Sequence, residues 1–286
     1  MKFKYPEKFL PLVKSINSAP VQNEAGITVG WSAIVTDQAG RAIGGGTAAT
    51  RDLATRIAVA ESLECLEREI GFTPEEQETL KCGRYPTRCG MAAGFERKPT
   101  LMRAQVEAVE RWLWSKWVDE QYFITEIPRP PLTGLAEYYA GKFERILYFE
   151  KLVHHDIAGV PQPLRFGAIL AVHAGGAFPG SRVCSTSEDP WEHAAIEAWR
   201  HLKIFENLGD RADLYPFLAG RIKYFGENHS AAIAALGKAH NKNWPRPEID
   251  TLVELRQPQY DGYSFFRAIC KDYLPWHQGD HRRFVF

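Results

Sequence analysis

The sequence predicts a mixed α/β fold in which helices carrying paired carboxylates pack on a sheet. Three observations predict it. Strand-like and helix-like segments alternate along the chain, as they do where helices cover a sheet. Hydrophobic residues make up 45% and aromatics 12% of 286 residues, enough for a sizeable core and too much for a disordered chain. No internal repeat, low-complexity tract or shift in composition divides the chain, so a single domain over residues 1–286 is expected.

Each element has a local reason. Ile27 to Val35 is rich in Val, Ile and Trp and reads as a strand, closed by a turn at Asp37-Gln38-Ala39-Gly40. Gly44-Gly45-Gly46-Thr47 reads as a glycine-rich turn leading into a helix from about Thr50 to Ile70. There Leu53, Ile57, Ala60, Leu63 and Leu66 or Glu67 recur at three-and-four spacing. Pro74 to Pro86 reads as a connection. A second helix is predicted over Thr100 to Trp117, with Leu101, Ala104, Ala108, Val109 and Trp112 on its apolar side. The prolines from Pro128 to Pro131 break the pattern. Phe143 to Leu152 fits helix or strand equally. Phe166 to Ala174 reads as a short buried strand, and Val183 to Ser187 as its neighbour. A third helix is predicted from Pro190 to Phe205, with proline at its first turn. Ser230 to Leu236 reads as helical, and Thr251 to Arg256 and Tyr263 to Ile269 as late strands.

Composition excludes several function classes. Lys plus Arg and Asp plus Glu both number 35, so the chain has no general attraction for nucleic acid or anionic membranes. The longest weakly polar run, Phe166 to Phe178, is too short to span a bilayer and carries His173. No apolar run follows the N-terminal charges, so no secretory signal is expected. The five cysteines are irregularly spaced. Cys82 and Cys89 are close together, but no second pair stands at zinc-site spacing. A reduced cytoplasmic protein is the expectation.

The chemistry-bearing residues lie on the three long helices. The first carries Glu64 and Glu67 followed by Arg68, and the second Glu107 and Glu110 followed by Arg111. A spacing of three places each pair on one helical face. Ala60 and Leu63 flank one pair, Ala104 and Val106 the other, and a carboxylate in apolar surroundings is costly unless paired. A magnesium ion removes that cost, because it takes a few carboxylate oxygens together with phosphate oxygens and water. The commoner fate of one Glu-x-x-Glu-Arg string is a solvated helix face; a di-iron bundle would need Glu-x-x-His twice. On the third helix His193, Glu197 and His201 share a face beside Arg200. They read as metal ligands or, with more weight, as a salt-linked surface. The glycine turn offers backbone N–H groups to an anion but lacks the lysine of a P-loop.

Taken in order, these features resemble the YcaO family. Gly44-Gly45-Gly46-Thr47 followed by Ala60-x-x-x-Glu64-x-x-Glu67-Arg68 is similar to the family pattern Gly-Lys-Gly-x-Thr and Ser-x-x-x-Glu-x-x-Glu-Arg. Arg88-Cys89-Gly90-Met91-Ala92-Ala93-Gly94 resembles its Ser-Asn-Gly-Leu-Ala-Ala-Gly turn, and Glu107-x-x-Glu110-Arg111 its second acidic helix. Ala194-x-x-Glu197-x-x-Arg200 resembles its Ala-x-x-Glu-x-x-Gln helix, and Leu252 to Pro275 its closing strands. The likeness runs from about Trp31 to Pro275. Gly45, Ala60 and Arg200 depart from the usual Lys, Ser and Gln, and the end Arg282-Arg283-Phe284-Val285-Phe286 is not proline-rich.

The resemblance implies a YcaO-like fold and ATP- and Mg2+-dependent activation of a backbone amide in a ribosomally made precursor peptide. The product would be an azoline, thioamide or amidine. It implies metal ligation by Glu64, Glu67, Glu107 and Glu110. Nucleotide contacts would come from Gly44, Gly46, Arg68, Arg111, Glu197 and Arg200. No individual catalytic residue is assigned. A separate peptide-recognition or sulfur-delivery partner is expected, with no nucleic acid or membrane partner, and a homodimer stays open. The alternative is a non-catalytic YcaO-like scaffold that binds a peptide or partner protein.

Overall fold

The computed structural model describes Tyr5 and residues 7–66, 72–83, 88–157, 160–208, 216–240, 242–255, 262–275 and 278. Where the sequence suggests one domain, the chain forms two compact units. One is Met1–Ala108 with Ile249–Ile269, the other Val109–Glu248 with Cys270–Phe286.

In the first unit β1 (Val13–Gln22), β2 (Thr28–Asp37) and β3 (Ala42–Ala48) form an antiparallel sheet in sequence order. Helix α1 (Arg51–Leu66) lies on β2 and β3. Thr50 starts it: its hydroxyl accepts from the Leu53 N–H and its carbonyl from Ala54. Ala54, Ala58, Val59 and Leu63 form the buried face, packed with Val35, Ile43 and Phe265.

The expected glycine turn is a strand. Gly44 and Gly46 lie within β3, and the reason is packing rather than bending. A Cβ on Gly46 would stand 2.0 Å from the Ala54 carbonyl oxygen, and one on Gly44 2.2 Å from that of Ala58. Without side chains there, α1 presses directly onto the strand. The expected connection after α1 contains a helix, α2 (Pro74–Thr79), held by a capping box. The Thr73 hydroxyl accepts from the Glu76 N–H, and the Glu76 carboxylate accepts from the Thr73 N–H. A second sheet of this unit has the order β4 (Met91–Gly94), β10 (Ser264–Cys270), β9 (Ile249–Leu255). Every residue of β10 is buried.

Helix α3 (Arg97–Trp114) belongs to the first unit up to Ala108 and to the second from Val109. A π-helical turn, Ser115–Asp119, follows it. In the second unit β5 (Thr125–Ile127), β6 (Arg145–Ile157), β7 (Val160–His173) and β8 (Gly176–Ser185) form an antiparallel sheet in sequence order. The segment that fitted helix or strand is therefore in β6. Helices α4 (Gly134–Ala140), α5 (Trp191–Glu206), α6 (Pro216–Glu227) and α7 (His229–Ala235) complete the unit, with α5 on β7 and β8. Trp114 and Trp117 stack with centroids 5.0 Å apart, and Phe166 stands edge-on to Trp114. Losing such a buried ring costs about 3–5 kcal/mol, so this cluster fixes where the end of α3 lies. Among the described residues, no helix is long and apolar enough to cross a membrane.

Candidate functional site

Glu64 lies where α1, β4 and α3 approach one another. The β4 backbone meets α1 here: the Ala93 N–H donates to Glu64 Oε1 at 3.1 Å. One turn earlier on α1, Glu61 accepts from the Gly45 N–H at 3.2 Å. From α3, Arg103 Nη2 donates to the Ala93 carbonyl, which brings Arg103 and, one turn on, Glu107 to the same place. Arg88, exposed on the segment before β4, has its charge favoured by Cys65, Glu64, Glu61 and Glu107. Glu64 is partly exposed by accessible surface but densely enclosed by neighbouring groups. Burial pushes its carboxyl up to about 8. Arg103, Arg88 and the Ala93 N–H oppose the rise, and Glu107 adds to it.

That shift has a stability consequence. Glu64 binds its proton more tightly folded than unfolded, so its contribution is fully present below the ordinary value of 4.5. It is lost progressively as pH rises through about 8. Metal-free Glu64→Gln should therefore gain on the parent between pH 5 and pH 8. Melting curves across that range check it; a parent and variant whose difference is independent of pH would contradict the burial of a titrating carboxyl.

In the second unit Glu110, on α3, is buried and tied at both oxygens. Ser181 Oγ donates to Oε1 at 3.0 Å and the Val183 N–H to Oε2 at 2.9 Å. Trp114 Nε1 donates to the same Ser181 hydroxyl at 2.8 Å, so the aromatic cluster orients the group that orients Glu110. The Ser181 N–H donates to Glu197 Oε2 at 2.7 Å. Ser181 thus serves both carboxylates. Gly180 makes this geometry reachable, because a Cβ there would stand 1.9 Å from the Ala194 carbonyl oxygen of α5. Arg111 lies between the acids, 3.9 Å from Glu110 Oε1 and 4.0 Å from Glu197 Oε1. Burial raises the Glu110 carboxyl above its ordinary range, and Glu197 adds to that. Arg111, the Val183 N–H and the Ser181 hydroxyl pull the other way.

Around this pair stands a group of guanidiniums. His201 is pushed down to about 4 by burial and by Arg111 and Arg200, although its Nδ1 meets the Pro179 carbonyl oxygen at 2.7 Å. His193 is exposed by area yet crowded by neighbouring groups, and it is pushed down to about 3 by desolvation and by Arg182, Arg200 and Arg111. Burial and these arginines shift both rings toward the neutral form, and Glu197 on the same helix pairs with Arg111. Neutral rings add no proton charge of their own, while three arginines make a positive field suited to phosphate oxygens.

The structure thus gathers Glu64 and Glu107 in one unit, and Glu110, Arg111, Glu197 and Arg200 in the other. Glu67 and Arg68 lie outside the described residues. Gly44 and Gly46 face α1 rather than an open anion site. Among the described residues, no three His, Cys, Asp or Glu side chains are drawn together as a metal cage. Sequence reasoning missed Glu61, Arg88, Arg103, Ser181 and Arg182. Only Glu61 carried a local signal, one turn before Glu64.

No family model and no curated protein matches the sequence. Among solved structures the chain is similar to YcaO from Methanopyrus kandleri, itself solved with AMPPCP and Mg2+. The identity is 16% and the TM-score 0.55, over 96% of this chain and 89% of that one. The fold is YcaO-like. The likeness covers both units, and it agrees with the mixed α/β class read from the sequence.

Proposed function

We propose that this protein binds ATP with magnesium and uses it to activate a backbone amide of a peptide. The observation that carries the reading is the pairing of carboxylates on helices α1, α3 and α5 of a YcaO-like fold, each pair beside arginines. The nucleotide analogue and Mg2+ of the structural neighbour support it. The donor set fits magnesium, a hard cation that prefers carboxylate oxygen and phosphate. Glu64 and Glu107 would hold the metal in the first unit, and Glu110 and Glu197 in the second. Arg111, Arg182 and Arg200 would hold phosphate oxygens. Magnesium, when bound, supplies neutralisation of phosphate charge. The residues supply alignment, which is most of what phosphoryl transfer requires of a protein.

In the reaction, the amide oxygen would take the terminal phosphoryl group of ATP. A side-chain hydroxyl or thiol, sulfide or an amine would then complete the azoline, thioamide or amidine, with loss of phosphate. The precursor peptide and a separate partner that presents it or delivers sulfur belong to the same reading. The test is thermal. ATP with magnesium should raise the melting temperature, ATP with a chelator should not, and Arg200→Leu should weaken the response. A parent indifferent to nucleotide would turn the reading to a peptide-binding scaffold.

A further inference from the structure

A cavity of about 130 Å³ in the second unit takes no part in the reaction proposed above. Arg129, Phe143, Glu144, Arg145, Ile146 and Tyr148 line it, and none of them belongs to the group around Glu110. The cavity begins where a strand stops. β5 pairs with β6 only as far as Ile127, opposite Tyr148, and Pro128 follows. Proline has no N–H with which to continue the ladder, so a gap opens beside Arg145 and Ile146. Tyr148 is 5% exposed, and its ring stands edge-on to Trp191 with centroids 5.6 Å apart. Its hydroxyl nevertheless has no hydrogen-bond partner among the described residues. A buried hydroxyl left so is costly until something fills its bonding capacity. Arg129 and Arg145 are exposed, and neither makes an ion pair among the described residues. Glu144 is the one acid of the lining, and its Oε1 already accepts from the Ala174 N–H at 2.8 Å.

We propose that this cavity binds a carboxylate on a short stem, with Arg129 holding the charge and the Tyr148 hydroxyl donating to one of its oxygens. Arg145 adds a second positive charge, and Phe143 and Ile146 give the stem an apolar wall. Two guanidiniums against one carboxylate leave one positive charge in the lining. A singly charged carboxylate matches it, whereas a doubly charged phosphate would stay half unmatched. The cavity has room for the carboxylate and a few carbons. Burial raises the Tyr148 hydroxyl above its ordinary range although Arg129 opposes the rise, so the group stays protonated and is a donor. Donation to an ionised acceptor is the stronger kind of hydrogen bond, and a guanidinium offers two N–H groups in the plane a carboxylate presents.

Ligand-observed NMR titration of the full chain with propionate tests this, with propionamide as its uncharged twin and inorganic phosphate as the dianion. Propionate should bind at least about tenfold more tightly than propionamide, the difference that a hydrogen bond to a charged group makes. Arg129→Gln and Tyr148→Phe should each weaken propionate by about the same factor. Both variants should melt with the parent or above it. Arg129 is exposed, and Tyr148→Phe keeps the ring against Trp191 while removing an unpartnered hydroxyl. A tripeptide acetylated at its N-terminus and free at its C-terminus separates the two sources of a carboxylate. Binding tighter than propionate supports the site as one for a peptide end, and weaker binding supports it as one for a free acid. Equal binding of propionate and propionamide, tighter binding of phosphate, no binding of either acid, or propionate binding that survives both substitutions overturns the proposal. The site requires no nucleotide, so a parent indifferent to ATP with magnesium would leave it standing.

Discussion

A Glu107→Gln, Glu110→Gln variant is expected to fold and to lose its stabilisation by ATP with magnesium. The two residues stand one helical turn apart on α3, one in each carboxylate pair, so the double change weakens both pairs. The fold should survive because glutamine can keep the local hydrogen bonds. After Glu110→Gln, the new amide oxygen can accept from the Val183 N–H. The new amide N–H can donate to Ser181 Oγ, which has a second lone pair left after accepting from Trp114. The change also removes repulsion between like charges, so the unliganded variant should be as stable as the parent or more so. Ligand at a hundred times its dissociation constant stabilises a protein by about 2.7 kcal/mol. Loss of metal-ligand charge weakens binding by about 100-fold or more, since even outer partners of metal ligands cost 10–100-fold. At the same ligand concentration only about 0.4 kcal/mol would remain. Calorimetry on both proteins with and without magnesium reads the difference. An unchanged nucleotide response in a folded variant would remove these carboxylates from nucleotide binding.

The parts of this protein that were legible in its sequence are those written in local periodicity. The three long helices follow from apolar spacing, and their starts lie within a few residues of expectation: α1 begins at Arg51, α3 at Arg97 and α5 at Trp191. The acidic pairs were visible for the same reason, because a spacing of three is a property of one helix. The resemblance set Glu64 and Glu107 together as metal ligands, but it did not set Glu110 beside Glu197. Glu107 bears on Glu64, and Glu197 on Glu110, across different elements. Arg88 and Arg182 could not be found either. One precedes a turn, the other sits in a strand, and nothing local distinguishes them from surface arginines. The capping box at Thr73 and Glu76 was legible and overlooked among prolines and acids. Gly44 to Gly46 misled for a different reason. Glycine marks both a turn and a strand crossed closely by a helix, and only the packing of α1 tells which.

That packing yields the second large effect. Gly46→Ala is expected to destabilise the protein by about 3 kcal/mol or more, with loss of the native melt at ordinary temperature as the upper end. The added methyl carbon would stand 2.0 Å from the Ala54 carbonyl oxygen and 2.7 Å from the Ala58 nitrogen. Both atoms belong to the backbone of α1, so no side chain can swing aside to make room. Relief requires the helix to lift from β3, which opens the core formed by Ala54, Ala58, Leu63 and Val35. Interiors are packed too closely to absorb such a shift without losing contacts along the whole interface. The lift would also carry Glu61 and Glu64 away from the Gly45 and Ala93 N–H groups that hold them. Gly83→Ala serves as the comparison: nothing lies within 4 Å of a Cβ there, and the residue is exposed. It should change stability by no more than about 0.5 kcal/mol. Chemical denaturation of the three proteins measures both. If Gly46→Ala melted like Gly83→Ala, α1 would not lie on β3 as described, and with it would go the placement of Glu61 and Glu64 on which the first carboxylate group depends.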